Sequence, residues 1–198
     1  MSSGIIIQAR LDSSRLCHKV LREINGKTVL AHVIDAALAS CWKQTVILTT
    51  PDLALRDYGD YTGGLSHVCP HLWRKDRDVL AEFENAANAY HLDEIVRLTA
   101  DCPMIRAEHI DKAITAFHQQ DCNIYYNGLD GADVEVFSRG ALERAFREAT
   151  EPIDREHVTT WMKNQLRYVV DQPILTDAAL YKSLDTQEDL DYIRSVMR

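Results

Sequence analysis

The chain has 198 residues, of which 46% are hydrophobic, and a formal net charge of −8 at pH 7. That length predicts a single domain, residues 1–198, with a sizeable buried core. The negative charge argues against a nucleic-acid binder held by phosphate contacts. No apolar run approaches the roughly 18 residues of a membrane span, and no basic region precedes a long apolar stretch at the N-terminus. We therefore expect a soluble, cytoplasmic protein with neither nucleic acid nor membrane as a partner.

The apolar pattern alternates between strand-like and helix-like segments. We predict strands at residues 5–7, 45–50, 67–69, 94–98, 122–126, 134–137 and 166–170, and helices at 28–40, 78–90, 108–119, 139–148, 155–164 and 186–197. Helices between successive strands indicate right-handed crossovers and a mainly parallel sheet. The predicted fold class is therefore α/β, with ligands expected beyond the carboxyl ends of the strands.

The polar loop after the first predicted strand is rich in cations and hydroxyls. The stretch GIIIQARLDSSRLCHKVL, residues 4–21, carries Arg10, Ser13, Ser14, Arg15 and Lys19. Three cations and two hydroxyls at the end of a buried strand suit a polyphosphate. A solvated surface loop has a similar composition, so both interpretations stay open at this point.

Two carboxylates downstream are candidate metal ligands. Asp101 directly follows the strand at 94–98, in TADCP, where Pro103 stiffens the turn. It is expected on the same rim as the cations of the first loop, either as their ion-pair partner or as a ligand of Mg²⁺, which takes one or two protein carboxylates beside phosphates and waters. Asp185, before the last predicted helix, can supply the second carboxylate or can act as a helix N-cap.

Five motifs together resemble one family. QARLDSSRLCHKVL, TADCP, DVEVF, REHVT and LDTQEDL follow one another in this order. They resemble the nucleotide-sugar cytidylyltransferases, which include CMP-Kdo and CMP-sialate synthetases, and most closely the spore-coat polysaccharide type. The resemblance implies a Rossmann-like three-layer sandwich of the nucleotide-diphospho-sugar transferase type. It also implies Mg²⁺-dependent transfer of CMP from CTP to a sugar or sugar-acid acceptor, with release of pyrophosphate, for surface glycoconjugate synthesis.

The resemblance also implies a nucleotide and metal site. The first loop is expected to wrap the CTP phosphates, and this nucleotide-binding set comprises Gln8, Ala9, Arg10, Ser13, Ser14, Arg15 and Lys19. Asp101 and Asp185 are expected to bind Mg²⁺. With Arg15 and Lys19 they form the expected catalytic set.

An acceptor side follows from the DVEVF and REHVT motifs. The residues expected to lie near a small acidic or sugar-like acceptor are Asp133, Glu135, Arg155, Glu156 and His157. A structural ion pair is an open alternative for Glu135. His157 is a candidate general base, because an imidazole titrates near neutral pH, but a histidine on a helix face fits its position equally well.

The chain departs from the family pattern in two places. Residues 16–19 read Leu-Cys-His-Lys where the family usually has Leu-Pro-Gly-Lys. His18 can therefore add a phosphate contact, the loop can take another path, or activity can be weakened. The link at 127–133 is shorter than in relatives, which leaves acceptor size and oligomeric state open, although REHVT and its following helix can still form a homodimer.

Two other functions stay open from the sequence. One is a nucleotide-binding or regulatory homologue without transfer activity, for which the change at Cys17 and His18 is the motive. The other is a nucleotidyltransferase that uses another base or a phosphorylated or phosphonate acceptor. Binding of CTP without turnover across many acceptors favours the first, and stabilisation by a different nucleotide favours the second.

Overall fold

A sheet forms the centre of the fold. The computed structural model describes residues 2–55, 68–72, 78–171 and 180–197, with the backbone alone for 68–72. Within these residues seven strands pair in one sheet: β1 (Ser3–Gln8), β4 (Thr45–Thr50), β5 (Val68–Leu72), β6 (Glu94–Thr99), β7 (Ile124–Tyr126), β8 (Glu135–Ser138) and β9 (Tyr168–Val170). Their spatial order is β5-β4-β1-β6-β8-β7-β9. A separate pair consists of β2 (Glu23–Ile24) and β3 (Lys27–Thr28).

The sheet is mainly parallel, as predicted. Strand β1 runs parallel to β4 and β6, β4 to β5, and β7 to β9, whereas β8 runs antiparallel to both β6 and β7. The helices are α1 (Val29–Ala39), α2 (Val79–Ala89), α3 (Ala107–Gln119), α4 (Arg139–Glu148), α5 (Pro152–Glu156), α6 (Thr160–Gln165) and α7 (Gln187–Val196). The α/β fold class is thereby confirmed.

Alternation along the central strands builds two cores, one on each face of the sheet. Ile5 and Ile7 of β1 face α1 and α3, while Ile6 faces α2, α4 and α6. Because helices cover both faces, β1 and β4 are continuous apolar runs. Gln8 lies two residues beyond Ile6 on β1, and Arg97 of β6 is the register partner of Ile6. The side chains of Gln8 and Arg97 therefore belong to the face of α2, α4 and α6.

A smaller apolar cluster ties the first loop to the last helix. Leu16 of the loop packs with Ile24, Leu184 and residues of α7, and Leu184 and Ile24 are fully buried. Full burial of a leucine contributes about 1.5–3 kcal/mol. This cluster holds the cationic loop beside the segment that carries Asp185.

Most predicted helices differ from the observed ones only by a residue or two at each end. α4 has the predicted bounds, and α1, α2 and α4 begin after Thr28, Asp78 and Ser138, whose side-chain oxygens accept a hydrogen bond from the backbone three residues on. α7 is capped by Thr186, whose hydroxyl accepts from the Asp189 N–H at 3.2 Å. The alternative that Asp185 is the helix cap is therefore wrong.

Two sequence predictions differ from the structure in substance. The helix predicted at 155–164 is wrong, because the chain breaks between α5 and α6 at residues 157–159, where Val158 adopts φ +26°. The strand predicted at 67–69 is observed as Val68–Leu72, and His67 lies outside the described residues. Pro70 is tolerated in that strand because β5 is at an edge of the sheet.

Across the segments that the structure describes, no helix is both long enough and apolar enough to cross a lipid bilayer.

Candidate functional site

A cavity lined largely by predicted site residues opens at the carboxyl ends of β1 and β6, and we call it the main cavity on that ground alone. Its volume is about 200 Å³. Six of the predicted site residues line it: Gln8, Arg10, Lys19, Asp101, Glu156 and His157. The rest of its wall includes Arg97 and Thr99 of β6. Ligands of parallel α/β sheets bind at this position, beyond the strand ends.

Lys19 lies between the two predicted metal-binding carboxylates. Its Nζ is 2.6 Å from Asp101 Oδ2 and 2.9 Å from Asp185 Oδ1, and its side chain is only 12% exposed. Arg15 reaches the same Asp185 oxygen at 3.0 Å, from a side chain that is 66% exposed. Residues more than 80 positions apart in sequence thus meet in one ion-pair cluster of two cations and two carboxylates.

Both partners of the Lys19–Asp101 pair are charged at neutral pH. Burial by itself lowers the pKa of the Lys19 ammonium, but Asp101 and Asp185 outweigh it and hold the pKa above its usual value. Burial likewise raises the pKa of Asp101, and the Lys19 ammonium brings it below the usual value of a carboxyl group. The contact between Lys19 and Asp101 is therefore an ion pair and not a hydrogen bond between neutral groups.

Asp185 is fixed through its backbone. Asp189 Oδ2 accepts hydrogen bonds from the backbone N–H of Asp185 at 3.0 Å and of Thr186 at 2.7 Å, and Asp189 Oδ1 pairs with Lys182 Nζ at 2.7 Å. The N–H of Leu184 donates to the carbonyl of Asp101 at 2.8 Å. Although burial alone raises the pKa of Asp189, the Lys182 and Thr186 hydrogen bonds lower it to about 2.

Asp189→Asn is expected to lower the free energy of unfolding at pH 7 by about 2 kcal/mol, because each pKa unit corresponds to about 1.4 kcal/mol. The folded pKa lies below the unfolded one, so this stabilisation is present above about pH 4 and is lost as the pH falls towards 2. Urea unfolding at pH 7 and at acidic pH measures it. Asp191→Asn, on the exposed face of the same helix, is the matched control. A wild-type-to-variant difference that stays constant with pH would contradict the assignment.

Glu135 belongs to a buried ion-pair network behind the cavity wall. Arg97 donates to it at 2.6 Å, Lys163 forms a second ion pair with it, and the Thr159 hydroxyl donates at 3.0 Å. Burial raises the pKa of Glu135, but the two cations bring it below its usual value. Arg97 also donates to Gln8 Oε1 at 3.1 Å. The structural ion pair left open for Glu135 is thus present, and Arg97 is the member that faces the cavity.

Asp133 fastens the short link to the loop that carries Asp101. Its Oδ1 accepts from the Tyr126 hydroxyl at 2.8 Å, and its Oδ2 accepts from the Gly131 N–H at 2.9 Å and from the Cys102 thiol at 3.3 Å. Gly131 has φ +85°, and a Cβ there would lie 2.2 Å from the Lys182 backbone, so no other residue fits. Asp133 is not among the residues that line the main cavity.

The three residues of REHVT that the sequence placed near the acceptor separate in the structure. Glu156 and His157 line the cavity, and Glu156 lies 3.5 Å from Arg10. Arg155 turns away: it binds both oxygens of Asp78 at 3.0 and 2.5 Å and the carbonyl of Phe146 at 2.8 Å. The structure therefore does not bring Arg155 to the cavity, and its contacts join α5 to α2 and α4.

Several other residues of the first loop line a second cavity. A cavity of about 400 Å³ is lined by Leu11, Asp12, Ser13, Cys17, His18 and Asp52; we call it the loop cavity. Ala9 is buried, with its N–H bonded to the Thr49 carbonyl, and Ser14 is exposed. Asp52 accepts from the Leu11 N–H at 2.7 Å and so anchors the loop from the end of β4.

His18 replaces the family glycine without giving up a glycine-like backbone. Its φ of 51° and ψ of 40° lie in the left-handed region, and its side chain is exposed. Glycine adopts that conformation without strain, and a histidine can be accommodated there only at some cost. The loop therefore turns at this residue despite the substitution.

The strain at His18 predicts a difference between two substitutions. His18→Val is expected to lower the free energy of unfolding by about 1–2 kcal/mol, because a β-branched residue is poorly tolerated at positive φ. His18→Gly is expected not to lower it. Urea denaturation of both variants beside the wild type measures this. Equal midpoints for the valine and glycine variants would show that the left-handed turn is not held in solution.

Sequence reasoning missed Arg97, Thr99, Thr159 and Lys163. Arg97 carried a signal, since it is the one charged residue within the apolar strand motif EIVRL after its opening glutamate. Thr159 closes the REHVT motif but was not singled out, and Lys163 carried no signal, because their contact with Glu135 depends on the break between α5 and α6.

The donor set suits a hard divalent cation. Asp101 and Asp185 both present an oxygen within 3 Å of one nitrogen, so a single ion can reach both. Among the described residues no group of three or more His, Cys, Asp or Glu side chains could hold a metal. Two carboxylates, completed by phosphate oxygens and waters, match the coordination of Mg²⁺ rather than that of zinc.

Comparison with protein-family models decides the family. The model described as Cytidylyltransferase matches residues 4–194. The chain belongs to the cytidylyltransferase family. The resemblance found in its motifs is thereby confirmed, and the match runs from β1 to α7 of this chain.

Curated relatives cover much of the chain at moderate identity. An uncharacterized protein of Methanocaldococcus jannaschii is 32% identical over 79% of this chain and 65% of its own length. A 3-deoxy-manno-octulosonate cytidylyltransferase of Pseudoalteromonas atlantica is 28% identical over 78% and 65%. The spore coat polysaccharide biosynthesis protein SpsF of Bacillus subtilis is 28% identical over 96% and 84%. This chain thus spans just under two thirds of the length of the first two.

Solved structures share the fold. A cytidylyltransferase from Leptospira borgpetersenii matches with a TM-score of 0.87 and 25% identity, over 100% of this chain and 87% of that one. A CMP:2-keto-3-deoxy-manno-octonic acid synthetase complexed with CTP matches with a TM-score of 0.77 and 16% identity, over 100% and 98%. A Mycobacterium tuberculosis protein in complex with manganese matches with a TM-score of 0.66 and 16% identity, over 98% of each chain.

Proposed function

We propose that this chain transfers CMP from CTP to a sugar or sugar-acid acceptor with release of pyrophosphate, in a reaction that needs Mg²⁺ and serves surface glycoconjugate synthesis. The observation that carries the proposal is the ion-pair cluster of Lys19, Arg15, Asp101 and Asp185, of which Lys19 and Asp101 line the main cavity. It joins cations suited to a triphosphate with carboxylates suited to a divalent metal.

The relatives support the nucleotide and the metal. The synthetase with the same fold was solved with CTP, and another protein of this fold was solved with manganese. Two of the curated relatives are named for 3-deoxy-manno-octulosonate transfer and for spore coat polysaccharide synthesis. A sugar acid or a related sugar is therefore the acceptor class that we propose for this chain.

The chemistry requires positioning and charge neutralisation rather than a covalent intermediate. An acceptor oxygen attacks the α-phosphorus of CTP in line, and pyrophosphate leaves with the electron pair of the broken P–O bond. Arg10, Arg15 and Lys19 are the residues that bind the phosphates and offset charge on the leaving group. Asp101 and Asp185 would hold Mg²⁺, which supplies neutralisation of phosphate oxygens when bound.

His157 is the residue that we propose as acceptor of the attacking oxygen's proton. It lines the main cavity next to Glu156, which lies 3.5 Å from Arg10 of the first loop. An imidazole is a suitable base near neutral pH. Its position at the carboxyl-terminal end of α5, before the strained residue Val158, turns it out of the helix and towards the cavity.

Pyrophosphate release tests the proposal. The purified chain is incubated with CTP, Mg²⁺ and a panel that includes 3-deoxy-manno-octulosonate, other sugar acids and neutral sugars. We expect release that depends on both CTP and one acceptor class. Thermal stabilisation by CTP is compared with that by UTP, GTP and ATP, and the largest shift is expected for CTP. No release with any nucleotide, together with no stabilisation by CTP, would overturn the proposal.

A further inference from the structure

Every cation of the first loop that was predicted to bind phosphate is already paired with a carboxylate. Lys19 contacts Asp101 and Asp185, Arg15 contacts Asp185, and Arg10 lies 3.5 Å from Glu156. The phosphate-binding groups and the metal-binding groups thus neutralise one another. A triphosphate or a metal ion that enters this site has to take a partner away from an existing ion pair.

Lys19 differs from the other two cations in position and burial. Its ammonium touches both carboxylates at 2.6 and 2.9 Å, and its side chain is 12% exposed. Arg15 touches only Asp185 and is 66% exposed, and Arg10 is 51% exposed. A divalent cation that bridged Asp101 and Asp185 would therefore need the place that the Lys19 ammonium occupies. Arg15 does not occupy that place, because it contacts only Asp185.

We propose that Lys19 occupies the divalent-metal position in the nucleotide-free protein, so that metal and nucleotide enter the site together by an exchange of ion-pair partners. The phosphates take Lys19 and Arg15, and the released carboxylates take the metal. A lysine suits this role because its ammonium is a point charge on a flexible four-carbon chain. The exchange of ion-pair partners rests on the proposed nucleotide function, whereas the position of Lys19 in the nucleotide-free protein does not.

The exchange makes the binding of nucleotide and metal reciprocal. Nucleotide that removes Lys19 from Asp101 and Asp185 increases the affinity for metal, and by linkage the metal increases the affinity for nucleotide by the same factor. The Lys19 side chain starts on the short 3₁₀ turn Lys19–Leu21, directly after the left-handed residue His18. Its reorientation therefore requires no change in the sheet.

Binding of Mn²⁺ alone to the nucleotide-free protein tests the position of Lys19. Free Mn²⁺ is followed by its electron paramagnetic resonance signal during titration. The wild type is expected to bind weakly, and Lys19→Met at least tenfold more tightly. Lys19→Gln repeats the test with a polar side chain of similar length, should the methionine variant not fold. Lys27→Met, which removes an exposed lysine paired with Asp35 at 2.6 Å, is the control and is expected to match the wild type.

Two further variants locate the bound ion. Addition of Asp185→Asn to Lys19→Met is expected to abolish the tight binding. Arg15→Met alone is expected to change the affinity for Mn²⁺ less than Lys19→Met does. The proposal is overturned if the lysine variants bind Mn²⁺ no more tightly than the wild type, or if tight binding survives the loss of Asp185.

Calorimetric titration of CTP tests the exchange itself. In the wild type, CTP is expected to bind at least tenfold more tightly with Mn²⁺ than with EDTA. Equal affinities in the two solutions would refute reciprocal binding. If CTP does not bind under either condition, the proposed function fails, while the comparison of Mn²⁺ affinities still decides whether Lys19 holds the metal position.

Discussion

Asp101→Asn is expected to lower kcat by about three orders of magnitude and to leave the fold intact. The proposed function assigns Asp101 to the metal, and loss of a metal's charge stabilisation costs several kcal/mol in the transition state, where each 1.36 kcal/mol is a factor of ten in rate. Asparagine keeps the size of the side chain, and Lys19 retains its contact with Asp185 at 2.9 Å. The Asp101 side chain is 27% exposed, so no unpaired group is left in a dry core.

Steady-state rates of pyrophosphate release test this expectation. They are measured with an acceptor identified in the assay described above. Circular dichroism and the unfolding midpoint show whether the fold persists. Asp35→Asn is the matched control, because Asp35 is also paired with a lysine but lies on α1 beside Lys27, away from the cavity. A variant at position 101 that keeps more than a tenth of the wild-type kcat would contradict the proposed role of Asp101 as a metal ligand.

Arg97→Met is expected to lower the free energy of unfolding by about 3 kcal/mol. Removal of one partner from a buried ion pair costs about 3–5 kcal/mol, since the other charge remains in a low-dielectric setting. Glu135 is only 4% exposed. Lys163 and Thr159 stay in contact with it, which places the expected effect at the lower end of that range.

A second substitution in the same network checks the cause. Glu135→Gln in the Arg97→Met background is expected to recover part of the lost stability, because the uncompensated charge is then gone. Arg167→Met is the surface control: Arg167 pairs with Asp121 where the two side chains are 63% and 90% exposed, and such pairs contribute at most about 1 kcal/mol. Urea unfolding curves of the four proteins measure these differences. Equal destabilisation by Arg97→Met and Arg167→Met would contradict the buried network.

The sequence predicted the positions and the mainly parallel order of the strands, because the periodicity of apolar residues reflects which side chains are buried. Continuous apolar runs in β1 and β4 require helices on both faces, and the helices between the successive strands β1, β4 and β6 fix a parallel order. The meeting of Lys19 and Asp101 was also within reach, since residues at the carboxyl ends of parallel strands converge on one rim. Asp185 follows no predicted strand end, and only the family resemblance placed it in the same site.

The failures have physical reasons of their own. The break between α5 and α6 has no glycine or proline to mark it, and Val158 adopts φ +26° within tertiary contacts that single-sequence patterns do not contain. Arg155 stands next to two residues that line the cavity, yet a turn of helix directs it to Asp78 instead. Adjacency in a motif does not guarantee adjacency in space on a helix.

The antiparallel strand β8 has a consequence for how such a site can diversify. Because β8 runs against β6 and β7, the link that joins β7 to β8 lies at the same end of the sheet as the cavity. Asp133 of that link bonds to Cys102, the neighbour of Asp101. A longer link would add a wall to the rim without a change in strand register, and each doubling of loop length costs only about 0.6 kcal/mol. A longer link can thus alter the wall beside the proposed acceptor at little cost in stability and without a change in the residues of the ion-pair cluster.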